Sequence, residues 1–143
     1  MAKKSLVMQL VDQMLAAHIS PLLRAEGFTK MHRTYVRHRG SRWDIVELQV
    51  SSFGSAVDTR FTFNIGRHDE HHENVYARRW KKHPPASACT DGSHRIGSFG
   101  GGKDTWWIVT AEANMDVIGS EVSSILRTAV LPYLAGTRSV SGR

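Results

Sequence analysis

Residues 34–50 read TYVRHRGSRWDIVELQV, and the period of this stretch decides the fold. Two strand-like runs flank Arg39-Gly40-Ser41-Arg42, a turn signal. In the second run Val46, Leu48 and Val50 alternate with Ile45, Glu47 and Gln49. A two-residue period puts the first set on one sheet face, toward a core, and the second set on the other.

Downstream, past a loop near Phe53-Gly54-Ser55, RFTFNIG (60–66) repeats the pattern. Phe61, Phe63 and Ile65 point one way; Thr62 and Asn64 point the other. HRIGSF (94–99) and DTWWIVT (104–110) read as two more strands. Residues 67–93 are polar and irregular, with Val75, Tyr76 and Trp80 anchoring a short helix that Pro84-Pro85 ends. On either side of the strands the period lengthens. Val7, Leu10, Val11, Met14, Leu15, His18, Ile19 and Leu22 recur at helical steps, as do Ile118, Val122, Ile125, Leu126 and Ala129. Ser5 is the N-cap of the first helix, and Asn114 or Asp116 caps the second. Both helices end alike, in ISPLLRAEG and AVLPYLAG, with a proline near the last turn and a glycine stop. Pro21 is expected to kink or restart the first helix. The connections are too short for parallel crossovers. The fold class is therefore α+β: an antiparallel sheet of about five strands, flanked by an N-terminal and a C-terminal helix packed on one face. One domain spans 1–136, and 137–143 is a flexible tail.

Hydrophobic residues make up 41% of the 143 and charged ones 22%, the balance of a folded chain. The lone Cys89 forms no internal disulfide, so the fold requires no oxidising compartment. Gln9, Asp12 and Gln13 interrupt the apolar residues near the start, so neither a leader's apolar core nor a membrane span is expected. A bacterial cytoplasmic setting is the simplest reading. The formal charge is +6, which favours acidic partners without naming one.

GSFGGGKD (97–104) imitates a phosphate-binding loop. Such a loop needs a Ser or Thr after its lysine and a helix beyond it. Asp104 stands in place of that hydroxyl, and the aromatic and β-branched residues from Thr105 to Thr110 predict a strand. The glycines then form the turn of a hairpin, and no nucleotide cofactor is expected. HDEHHE (68–73) suggests a metal shell from His68, His72, Asp69 and Glu73, but it lacks the second histidine of an HExxH helix. A solvated loop is the favoured reading, and no metal is expected. Neither Cys89 near His83 and His94 nor the scattered carboxylates form a catalytic constellation, so no catalytic residue is assigned.

Basic residues fall in two clusters. One holds Lys30, His32, Arg33, Arg37, His38, Arg39 and Arg42; the other holds Arg78, Arg79, Trp80, Lys81, Lys82 and His83. Arg33, Arg37, Arg78, Arg79, Trp80, Lys81 and Lys82 form the candidate nucleic-acid surface, since aromatic rings among cations suit stacked bases. A merely solvated surface is the competing reading.

The order of PLLRAEGF (21–28), RTYVRHRGSRWDIVELQVSS (33–52), FTFNIG (61–66), RIGSF (95–99), KDTWW (103–107) and LPYL (131–134) resembles the bacterial family called domain of unknown function 4304. The resemblance implies a single α+β domain in a bacterial cytoplasm. It implies no catalytic residues, and it does not extend to the histidine-rich loop. Within that frame Trp43, Gln49, Asn64, Arg95 and Trp106 lie on strands. If the helices cover one face, these line the other as a candidate binding surface; alternatively they pack beneath the 67–93 loop. The expected function is a small non-enzymatic binding domain with a protein or peptide partner, in an immunity or regulatory role. A nucleic-acid-binding module is the alternative, and no membrane partner is expected.

Overall fold

A computed structural model of the chain describes residues 5–51, 58–72 and 83–137. The expected loop at 53–55, the short helix around Val75–Trp80 and the tail beyond residue 137 lie outside these. Six strands form one antiparallel sheet: β1 (Thr29–Met31), β2 (Thr34–Arg39), β3 (Arg42–Val50), β4 (Asp58–Asp69), β5 (Ser93–Arg95) and β6 (Trp107–Thr110). They lie in the order β1-β2-β3-β4-β5, with β6 also on β4. The helices are α1 (Leu6–Met14), α2 (Ser20–Ala25), α3 (Met115–Ile125) and α4 (Leu131–Leu134).

The helices pack on one face, as the period required. Tyr35, Val46, Phe61, Phe63, Ile65 and Val109 are fully buried there against Val11, Leu15, Ile19, Val122, Leu126 and Val130. The Phe61 ring meets Phe63 edge-on at 5.8 Å and stacks on Trp107 at 5.5 Å. Burying each such side chain is worth about 1.5–3 kcal/mol. Gly119 lets the helices approach: a Cβ there would lie 2.4 Å from the His18 ring.

The helical segments share one plan. Side-chain caps start both, Ser5 accepting from the Met8 amide and Asn114 from the Val117 amide. A π-helical turn, Leu15–Ile19 or Leu126–Val130, then precedes each proline. A proline ring crowds the carbonyl one turn earlier and offers no N–H, and the wider turn relieves both conflicts. The expected kink is thus a π turn within a continuous helix. Both helices stop at a glycine with positive φ: Gly27 at 90° and Gly136 at 81°. The Phe28 amide returns to the Leu23 carbonyl, and the Thr137 amide to that of Pro132, so each end is a Schellman motif. The stretch Leu6–Ala25 has the length and mean hydropathy, 1.3, to cross a membrane. Its apolar stripe, Val7, Val11, Met14, Leu15, Ile19 and Leu23, is the one that packs into the core.

A further short strand, β1, joins the expected ones through a tight turn at His32, whose φ is 60°. Three expectations need correction. β4 runs on to Asp69, so the polar segment begins later than residue 67. HRIGSF is a strand only to Arg95; Ile96–Phe99 is a 3-10 turn. Nor do β5 and β6 form a hairpin. Both pair with β4, β5 along Asn64–Gly66 and β6 along Asp58–Phe61. They are two parts of one interrupted edge, and residues 96–106 leave and rejoin it.

Candidate functional site

The sequence GSFGGGKD makes this excursion. Gly101 and Gly102 have positive φ, and the Gly100 and Gly102 amides both return to the Gly97 carbonyl. Gly97 is required by close approach, since a Cβ there would meet the Lys103 carbonyl oxygen at 1.8 Å. No helix follows the glycines, and two of the loop's amide donors are turned inward to Gly97. The loop instead delivers Asp104 to the second sheet face.

That face carries the side chains that alternate with the core. Asn64 stands opposite Glu47 on β3 and Arg95 on β5. The Asn64 Nδ2 donates to Gln49 Oε1 at 2.8 Å and lies 3.4 Å from Glu47 Oε1. The Arg95 guanidinium lies over the Trp106 ring, 4.8 Å from its centre. Trp106 Nε1 donates to Asp104 Oδ2 at 3.2 Å, and Arg95 Nη1 is 3.8 Å from Asp104 Oδ1. Arg95 Nη1 and the fully buried Thr62 Oγ1 make no hydrogen bond among the described residues. Thus Gln49, Asn64, Arg95 and Trp106 come together, joined by Thr62, Glu47 and Asp104, which were not among the candidate binding residues. The alternation that assigned Asn64 to this face also assigns Thr62 and Glu47; Asp104 arrives only through the excursion.

Trp43 sits elsewhere on this face. It stacks on His38 at 3.8 Å and donates to Glu70 Oε1. Its neighbourhood is a satellite core of Val36, Ile45, Ala86 and Cys89. Gly66 admits the covering segment, since a Cβ there would lie 2.6 Å from Cys89 Sγ. Trp43 therefore packs beneath the 83–91 segment. Burial, with the negative charges of Glu47, Asp44 and Asp91, pushes the Cys89 thiol from 9.0 up to about 12. A neutral buried thiol is a poor nucleophile. His68 is also buried here and accepts the Thr90 amide at 3.2 Å. The side chain of His72 and all of Glu73 lie outside the described residues, among which no group of three or more metal-ligating side chains is arranged to hold an ion.

The first basic cluster has a different fate. Arg37, on the helix side, is buried. It donates to Asp44 Oδ2 at 2.9 Å and to the Glu26 carbonyl at 2.8 Å, and lies over Phe28. Asp44 is fully buried and also receives Arg39 at 3.2 Å, with Arg42 Nε at 3.7 Å. Arg42 donates to the Leu134 carbonyl, and Arg67 to that of Tyr133 at 3.0 Å. Burial, with the bond that the Tyr133 hydroxyl donates to Asp91, holds the phenol well above its ordinary range. Three arginines thereby satisfy carbonyls at the C-terminal ends of both helices, where cations are favoured. Arg33 is bidentate on Asp12. Arg78, Arg79, Trp80, Lys81 and Lys82 lie outside the described residues.

A search of curated proteins and one of solved structures each returned no match. The sequence profile of the family described as a domain of unknown function, number 4304, matches residues 19–136, from the end of the first helix to the glycine that stops the last. With most of its length matched, the chain belongs to that family.

Proposed function

We propose that the protein is a non-enzymatic binding domain. In this reading its second sheet face holds a protein or peptide through a carboxylate. The observation that carries the reading is Arg95: its guanidinium lies over the Trp106 ring, 3.8 Å from Asp104, yet its buried Nη1 makes no hydrogen bond among the described residues. An unmet buried donor costs about 1–3 kcal/mol, and more when charged, so a ligand that meets it recovers that cost on binding. A carboxylate matches the guanidinium fork, while the half-buried Gln49 and Asn64 supply neutral donors and acceptors beside it. The net charge of +6 draws acidic partners toward the chain. A cytoplasmic immunity or regulatory role for a neighbouring protein fits this reading, by analogy with other small single-domain chains.

The alternative is nucleic-acid binding through the basic clusters. Arg33 and Arg37 are already committed to Asp12, Asp44 and a backbone carbonyl, which weakens that surface at its first two residues. The test is capture of partners from native lysate, with and without nuclease. The reading expects a protein retained after nuclease and lost in Arg95→Ala and Trp106→Ala. Loss of every partner after nuclease favours the nucleic-acid module instead.

A further inference from the structure

The sheet has two kinds of edge. β1 is three residues long and carries Lys30; β5 is equally short and carries His94 and Arg95. Short charged strands are how edges avoid pairing with other chains. β6 has no such protection. Its four residues, Trp-Ile-Val-Thr, include no charge and no proline. Ile108 is 65% exposed, the most exposed large hydrophobic side chain among the described residues.

The direction of its backbone follows from the register. The Ser51 amide donates to the Arg60 carbonyl, so Arg60 turns its N–H and C=O toward β3. Arg60 stands opposite Ile108, and their pair is therefore one that exchanges no backbone bonds. Ile108 must then turn both its N–H and its C=O outward. Among the described residues neither has a backbone partner there, while the Thr110 carbonyl, facing the same way, takes the Ala113 amide.

We propose that β6 pairs with β6 of a second copy, antiparallel and centred on Ile108. One residue offering both donor and acceptor outward suits a two-fold axis, because Ile108 of each copy then bonds Ile108 of the other twice. The two exposed isoleucine side chains meet on the second face. Trp106 comes beside Thr110 of the other copy, and Trp107 beside Val109. Charge agrees with this antiparallel arrangement. Lys103 flanks the Trp106 end, where Asp104 is already tied to Arg95, whereas Glu112 flanks the Thr110 end. Opposite signs meet twice. A parallel or shifted pairing loses both the double bond at Ile108 and the charge match. The two sheets become one, with an Arg95–Trp106 patch on each side of the seam.

The test is the mass of the purified full chain by sedimentation across a wide concentration range. Backbone amide exchange is read on the same samples. The wild type is expected to reach twice 16.0 kDa as concentration rises, with protection gained at the Ile108 amide. Ile108→Lys, which sets two like charges face to face at an already exposed position, is expected to remain monomeric and folded. Ile108→Val is expected to retain the dimer, and so is Arg95→Ala, which separates this proposal from partner binding at the patch. A wild type that stays monomeric to its solubility limit, or a dimer that Ile108→Lys leaves as tight as before, overturns it.

Discussion

Two arginine rows cross this sheet on opposite faces. On the helix side Arg37, Asp44 and Arg67 stand in register on β2, β3 and β4. On the second face Glu47, Asn64 and Arg95 do the same on β3, β4 and β5. The first row is spent. Arg37 and Arg67 each donate to a helix-terminal carbonyl, and Arg37 also binds the buried Asp44. The second row is not: Arg95 rests on Trp106 with a nitrogen left unmet among the described residues. Basic residues alone thus say little about function; what each guanidinium already holds says more. Removing a member of the first row should cost stability, and removing one from the second should cost binding.

The largest effect is expected at Asp44. Asp44→Ala leaves Arg37 buried without its counter-charge, at a cost of about 3–5 kcal/mol. Urea unfolding measures this, and a cost below that of an ordinary surface substitution breaks the contrast between the rows. Next comes Gly97→Ala. Its Cβ collides with the Lys103 backbone, not a movable side chain. Such overpacking costs about 1–3 kcal/mol and should also displace Asp104 and Trp106, seen as a shifted tryptophan emission spectrum.

Alkaline pH sharpens the comparison further. Burial raises Cys89 from 9.0 to about 12, and raises Tyr133 and Tyr35 above 10.0. Groups with raised folded values contribute stability below their unfolded values and lose it as pH climbs toward the folded ones. Stability should therefore fall steadily from about pH 9 upward, the thiol first and the phenols next. Tyr133→Phe should cost about 1 kcal/mol at neutral pH, through the lost bond to Asp91, and make the alkaline fall shallower. An unchanged alkaline slope counts against the buried phenol as its source. The smallest stability effect belongs to the second row. Arg95→Ala should change unfolding free energy by no more than about 0.5 kcal/mol, since its ion-pair partner Asp104 is exposed and the unmet donor leaves with the side chain.

Alternation along TYVRHRGSRWDIVELQV and RFTFNIG was enough to place the core face and the second face, and with it Gln49 and Asn64. The helices followed from their own longer period, and Arg95 and Trp106 from the strand-like runs HRIGSF and DTWWIVT. Other features were hidden for physical reasons. β1 is too short to show a period, and its turn uses His32 where a glycine is expected. The end of β4 carries Arg67 and Asp69 toward the helix side, so polar residues occupy core-facing positions and the strand reads as loop. Three consecutive glycines signal a hairpin turn locally, yet β5 and β6 both find β4, which no local signal reveals. Trp43 shares the parity of the patch but lies far enough along β3 to fall under the 83–91 segment. That Arg37, Arg42 and Arg67 serve helix ends depends on where those ends arrive, a property of the packed fold.

The most direct test places a photo-crosslinking residue at Gln49, on the second face, and separately at Arg39, on the helix side, and irradiates each variant in native lysate. A nuclease-resistant protein adduct is expected from position 49, lost when Arg95→Ala is added, and none is expected from position 39. Equal adducts from both positions, or an adduct at 49 that survives Arg95→Ala or is removed by nuclease, would contradict this.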